Sequence, residues 1–184
     1  FGYYKLGKNL DFNKNVNGGY FWGAAADKKS DELGFRGTLD GNGYTISTIG
    51  EAKVYNGGFF GLLGKGAVVK NVKFNVSMHA NAIGLFASHG RKALIQDVEV
   101  TFISVPTNAN TGAFFGFFSG SMTCKNVVVK AAGLDIVTIF GCNMEWSDVP
   151  TCENVVVNAK SLGSIGRKGW GGDPVTTLKG FTFN

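Results

Sequence analysis

Seven short stretches of this chain alternate apolar and polar residues in one shared frame. They are KNLDFN (8–13), NGYTIS (42–47), KNVKFN (70–75), QDVEVT (96–101), KNVVVK within TCKNVVVK (123–130), ENVVVN within TCENVVVN (151–158), and KGFTFN (179–184). The frame position is Asn9, Gly43, Asn71, Asp97, Asn126, Asn154 and Gly180. One residue later stand Leu10, Tyr44, Val72, Val98, Val127, Val155 and Phe181; three later stand Phe12, Ile46, Phe74, Val100, Val129, Val157 and Phe183. The residues between them, Asp11, Thr45, Lys73, Glu99, Val128, Val156 and Thr182, are mostly polar. Period two predicts a strand with one buried face. Its recurrence at solenoid-like spacing predicts one such strand per coil, with apolar residues stacked in columns.

A second repeat runs through GGFFGLL (57–63), AIGLFAS (82–88), TGAFFGF (111–117), IVTIFGC (136–142) and SLGSIGR (161–167). It predicts another strand per coil, with Phe60, Phe86, Phe115, Phe140 and Ile165 in register and small residues at close corners. Two places before the frame residue, Val69, Ile95, Cys124, Cys152 and Leu178 form a further inward column. Cys124 and Cys152 then replace aliphatic residues as small hydrophobes. Stacked coils bring them near enough for either two free thiols or a disulfide. Cys142 belongs to the other strand. The Asn-rich frame predicts a corner ladder of side-chain amides bonding between coils. Asp97 interrupts it, either as a turn carboxylate accepting backbone N–H groups or as a ligand or acid.

Together these features predict an all-β, single-stranded β-solenoid, a right-handed parallel β-helix of roughly six to seven coils. The chain reads as one domain over 1–184, with 1–34 as a first coil plus a capping insert and 35–184 as stacked coils. Residues 22–33 (WGAAADKKSDEL) are expected to form a short capping helix or a lateral loop.

The segments YYKLGKNLDFN, GFRGTLDGNGYTISTIG, GGFFGLL and AVVKNVKFNV resemble secreted and surface-anchored bacterial proteins of the pectate-lyase-like β-helix class carrying GLUG-type Gly-aromatic repeats. The resemblance spans nearly the whole chain. It implies a right-handed parallel β-helix, usually one module of a longer extracellular or cell-surface protein. Such coils occur in adhesins, protease-associated regions and phage fibres, so the resemblance speaks to fold more than to activity. Relatives in that class often end in a longer C-terminal cap than GFTFN. With Phe1 in place of Met, the chain is expected to be a processed product or a fragment.

Composition narrows the picture further. Twenty-eight Gly, sixteen Phe and three Pro suit a turn-rich β protein with aromatic interiors. The net charge of +5 comes from scattered Lys and Arg with no basic block, so no nucleic-acid partner is expected. No apolar run reaches the ~18 residues of a membrane span. Three Cys without a C-x-x-C spacing indicate neither a zinc ribbon nor a redox site, and no metal or cofactor is expected.

Catalytic β-helices need acids clustered on neighbouring coils. The outward columns here show Lys73 beside Glu99, read as an exposed ion pair, and Asp40 in a DGNG turn. His79 and His89 are expected on different loops, and no catalytic residue is assigned. The feature above background is a pair of long loops, CNMEWSDVPT (142–151) and RKGWGGDPVT (167–176), each carrying Trp, Asp and Pro. Trp146, Asp148, Trp170 and Asp173, with Arg167 and Lys168, form a candidate glycan site in which rings cover sugar C–H faces and carboxylates accept hydroxyl protons. His89, Arg91 and Lys92 lie at the corresponding edge of an earlier coil. The competing reading has each Trp covering the solenoid's flank or end. The resulting expectation is a non-catalytic extracellular module for adhesion or glycan binding, with a glycan or host-surface partner. The alternatives are a polysaccharide lyase or glycoside hydrolase, and a fibre or spacer segment assembling through an exposed face that includes Val128 and Val156.

Overall fold

The structure, a computed structural model, describes residues 2–12, 34–48, 53–54, 57–108, 111–118, 122–142, 150–169 and 172–184. In chain order its strands are β1 (Tyr3–Lys5), β2 (Leu10–Phe12), β3 (Thr38–Asp40), β4 (Thr45–Thr48), β5 (Leu62–Leu63), β6 (Val68–Ser77), β7 (Ala87–Gly90) and β8 (Leu94–Ser104). They continue as β9 (Phe115–Phe118), β10 (Thr123–Thr138), β11 (Phe140–Cys142), β12 (Thr151–Ser164), β13 (Gly166–Arg167), β14 (Pro174–Val175) and β15 (Phe181–Phe183). A nine-stranded parallel sheet runs β1-β3-β6-β8-β10-β12-β15, with β4 joining β6 and β2 joining β4. A second parallel sheet runs β11-β9-β7-β5. The chain alternates between the two sheets, one step per coil, and so forms a parallel β-solenoid of about four turns.

The expected columns are present in the first sheet. Val72, Val98, Val127, Val155 and Phe181 are successive register partners, as are Phe74, Val100, Val129, Val157 and Phe183. Leu39, Val69, Ile95, Cys124 and Cys152 form the third column. Leu178 is not paired in it; its carbonyl closes a turn by accepting from Phe181 N–H at 3.2 Å. The frame residues explain why long strands can wrap a corner. Asn71, Asp97, Asn126 and Asn154 have φ of 51°, 53°, 51° and 55°, and Gly43 and Gly180 have 81° and 77°. This left-handed conformation is open chiefly to Gly, Asn and Asp, so the residue types follow from the bend.

One register expectation is overturned. Aligning on Asn9 sets Leu10 beside Tyr44, yet Leu10 pairs with Ile46 and Phe12 with Thr48. The path from Leu39 to Ile46 is two residues longer than that from Val69 to Phe74, because Asp40–Gly43 builds a wider corner. That corner moves Leu39 relative to the frame, while Ile46 still pairs with Phe74 as the frame predicts. The two-residue slip lies in the first coil, where Asn9 does not hold the left-handed corner and its Oδ1 accepts from Thr45 N–H at 2.9 Å. In the second sheet Ala87 pairs with Phe115, so Phe86 lies opposite Phe114 rather than Phe115. The fifth repeat also departs from expectation. Phe140 N–H reaches Ile165 O (2.7 Å), but Gly166 and Arg167 then pair antiparallel with Val175 and Pro174.

Between the sheets runs a chain of buried rings. Centroids of Phe59–Phe74, Phe74–Phe86, Phe86–Phe114 and Phe114–Phe140 lie 5.4, 5.4, 5.2 and 5.8 Å apart, the last three edge-on. Edge-to-face pairs set a positive rim on a negative face and add about 0.5–1.5 kcal/mol each beyond burial. The coils approach closely here. A Cβ on Gly141 would overlap the Gly116 carbonyl oxygen, so these glycines fix the packing distance.

The three cysteines are buried free thiols. Cys124 and Cys152 are register partners, as the column predicts. Burial pushes the Cys152 thiol up to about 12 and the Cys124 thiol well above its usual range. The expected insert at 22–33 lies outside the described residues.

Candidate functional site

Of the predicted loop residues, Trp146, Asp148 and Trp170 lie outside the described residues. Arg167, Lys168 and Asp173 are described and share one β-hairpin. Arg167 pairs with Pro174 in the β13–β14 ladder, and Lys168 N–H donates to Asp173 O at 3.1 Å. The hairpin thus brings two cations and an exposed carboxylate residue to one edge of the solenoid. The Nε of Arg167 is buried and has no hydrogen-bond partner among the described residues. Earlier in the chain Arg91 and Lys92 follow β7, whereas Arg167 ends β13 and Lys168 follows it.

His89 lies within β7 rather than on a loop, half-buried, with Nδ1 3.2 Å from Ser88 Oγ. Ser88 donates its hydroxyl to Gly61 O at 2.7 Å, which commits that proton to the backbone. Burial, then the Arg91 charge, hold the His89 imidazole below its ordinary range. His79 Nδ1 accepts from Asn81 N–H at 3.1 Å in a turn. Among the described residues no group of three His, Cys, Asp or Glu side chains is placed to hold a metal ion.

The described carboxylates knit coils together. Asp40 is buried and accepts from Tyr3 OH at 2.5 Å, Asn42 N–H at 2.9 Å and Asn71 Nδ2 at 3.2 Å, with Lys70 Nζ 3.9 Å away. The Tyr3 hydrogen bond, followed by those of Asn42 and Asn71 and the Lys70 charge, pulls its carboxyl down to about 2 against the effect of burial. Asp40 is therefore a turn former, as its DGNG setting predicts, and also a lock on the first coil. Glu99 faces Lys73 in register but ion-pairs with Lys130 at 2.8 Å. Asp135 takes Ser161 Oγ at 2.7 Å and Lys160 Nζ at 3.0 Å, and Glu153 takes Lys125 Nζ at 3.0 Å.

Asp97 stands in the corner ladder. It accepts from Asn126 Nδ2 at 2.8 Å and Gln96 Nε2 at 2.8 Å, so its partners are side-chain amides, not the backbone N–H groups expected at a turn. Those bonds, with Lys125 and Lys70 contributing, hold its carboxyl below the usual range. Beside the ladder runs a groove of about 520 Å³, lined by Asn71, Asp97 and Asn126, with Val72, Val98 and Val128 along its length and Lys73 and Glu99 beyond. The sequence flagged Asp97 as the odd member of the column, but carried no signal that a groove opens beside it. The Tyr3–Asp40 bond was likewise invisible, since its partners are 37 residues apart.

No known protein family, curated protein or solved structure matches this chain.

Proposed function

We propose that this chain is a non-catalytic module of an extracellular or cell-surface protein that binds glycans, by way of adhesion, at the edge carrying the two long loops. The observation that carries this reading is the β13–β14 hairpin, which gathers Arg167, Lys168 and Asp173 at one edge, with the Arg167 Nε unsatisfied by any described residue. Trp146, Asp148 and Trp170 are assigned to the same site from the matching Trp–Asp–Pro pattern of the two loops. Ring faces there would cover sugar C–H groups, Asp148 and Asp173 would accept hydroxyl protons, and Arg167 and Lys168 would favour anionic glycans. The commitment of Asp40, Asp97, Asp135, Glu99 and Glu153 to inter-coil or neighbouring bonds supports a binding role over lyase or hydrolase chemistry.

The reading includes right-handed winding, six to seven coils in the whole unit, and kinship with pectate-lyase-like β-helices bearing GLUG-type repeats. The right-handed preference of parallel crossover connections supports the winding. A glycan array probed with the purified protein and with a Trp146→Ala/Trp170→Ala double variant tests the proposal. Binding that is lost in the double variant supports it; absence of binding by either protein overturns it.

Assembly through the solenoid face is a second reading. Val128 and Val156 are register partners on the outward column and only half-buried. Light scattering across a concentration series decides it, since a monomer at all concentrations removes this reading.

A further inference from the structure

The wide corner between β3 and β4 contains a type I′ turn. Tyr44 N–H donates to Gly41 O at 2.8 Å, and the two central residues, Asn42 and Gly43, hold φ of 51° and 81°. Consecutive left-handed residues select Asn followed by Gly, because other side chains crowd their own backbone there. The narrower corners take a single left-handed residue, and Asn71, Asn126 and Asn154 are each followed by Val.

That difference is chemical as well as conformational. A backbone nitrogen can attack the side-chain carbonyl carbon of a preceding Asn. The new N–Cγ bond closes a succinimide ring, the Cγ–Nδ2 bond breaks, and ammonia leaves with the proton of the attacking N–H. Water then opens the ring at either carbonyl, giving aspartate or isoaspartate. A branched Val shields the nitrogen after Asn71, Asn126 and Asn154, whereas Gly43 puts no side chain over it. Asn42 and Gly43 are both exposed, so water reaches the site.

In the folded corner the reacting groups are held apart by their hydrogen bonds. Gly43 N–H donates to Asn71 O at 2.8 Å, Asn42 N–H donates to Asp40 Oδ1 at 2.9 Å, and Asn42 Nδ2 reaches Leu6 O at 3.5 Å. Attack by the Gly43 nitrogen requires it to leave Asn71 O and the turn to unwind, so the corner must first part from the coil of Asn71. Asp40 opposes that parting from both sides, accepting from Tyr3 OH of the preceding coil and from Asn71 Nδ2 of the following one.

We propose that Asn42 is a deamidation site gated by this corner: it reacts only when the corner opens, and its product keeps the corner open. Either product sets a second carboxylate beside Asp40 and loses the bond from Asn42 Nδ2 to Leu6 O. Isoaspartate also lengthens the main chain by a methylene inside the turn that Tyr44 N–H closes on Gly41 O. The modification therefore marks, in one direction, molecules whose first coils have come apart.

The test is incubation of the protein at pH 8 and 37 °C, with peptide mass spectrometry of residue 42 over time, beside a synthetic peptide spanning residues 38–48. Deamidation in the folded protein is expected to be slower than in the peptide by about tenfold or more, which measures how rarely the corner opens. Tyr3→Phe removes one of the partners of Asp40 and is expected to speed the reaction by about threefold or more. Asn71, Asn126 and Asn154 are expected to stay unmodified in both proteins. Equal rates in protein and peptide overturn the gate, as does an unchanged rate in Tyr3→Phe, and no conversion at residue 42 over a month overturns the site. The deamidated protein, isolated by ion exchange, is expected to exchange its Leu6 and Tyr44 amide hydrogens faster than the unmodified protein, since those N–H groups bond Asp40 O and Gly41 O. Identical exchange in the two forms overturns the lasting opening.

Discussion

Asn126 donates its side-chain amide to the carboxylate of Asp97 across 2.8 Å, and both residues hold left-handed backbone at the same corner of adjacent coils. The contact couples two roles in one residue type. The short polar side chain makes the bend accessible, and its amide then bonds the bend to the next coil. Asn126→Ala removes both. It is expected to destabilise the fold by about 1–2 kcal/mol, chiefly because alanine lacks the short polar side chain that makes the left-handed region accessible to Asn. Urea unfolding followed by circular dichroism reads this directly, and an unchanged midpoint would show that the ladder contributes nothing.

Asp40 predicts acid sensitivity of the first coil. Its carboxyl is held at about 2, below the ordinary value of 3.8 that it regains on unfolding. The folded state therefore binds its proton less tightly, and the stabilisation is complete above about pH 4. It fades as pH falls from there toward 2. Tyr3→Phe removes the largest cause of the depression. The Asp40 carboxyl titration, read by NMR, is expected to move upward in that variant, and the stability difference between the two proteins should shrink as pH drops. A Tyr3→Phe protein with an unshifted Asp40 titration contradicts the assignment.

Phe86 sits at the centre of the ring chain, fully buried against Phe74, Phe114 and Phe115. Phe86→Ala deletes a large side chain from a site whose neighbours belong to three coils and cannot all collapse inward. The expected cost is about 3–5 kcal/mol. Ile103, by contrast, is 55% exposed, and Ile103→Thr should change stability by less than about 0.5 kcal/mol. Equal losses from the two substitutions would mean that the chain of rings is not the core.

Cys124 and Cys152 are shielded thiols whose raised pKa leaves little thiolate at neutral pH. Iodoacetamide at pH 8 is expected to label neither in the native protein and both in urea, as peptide mass spectrometry would show. Cys124→Val matches the Val69 and Ile95 positions of the same column and should keep the fold, with a stability change under about 1.5 kcal/mol. Rapid native labelling of Cys124 would place it outside the core.

Gly180 ends the frame series with φ of 77° and lies against Cys152. A Cβ there would overlap the Cys152 carbonyl oxygen, so alanine meets both backbone strain and a backbone clash. Gly180→Ala should therefore weaken the docking of β15 on β12, which native-state hydrogen exchange would register as faster exchange at Val155, whose N–H donates to Gly180 O.

The sequence by itself determined the strands, their inward columns and the corners. Period two is a local property, and the left-handed corner admits few residue types. Asn71, Asn126 and Asn154 could therefore be aligned without coordinates, and Cys124 with Cys152 likewise. Tertiary structure decided what depends on path length between strands. The wider Asp40–Gly43 corner brought Leu39 into the Val69 column, the first coil set Leu10 onto Ile46, and the last member of the Gly-aromatic repeat turned back as the Arg167–Pro174 hairpin. It also decided the direction of the ladder. Whether an amide donates up or down the stack depends on which neighbour lacks a proton, and only the stacking of Asn126 on Asp97, and of Asn71 on Asp40, turned each amide's N–H toward the preceding coil.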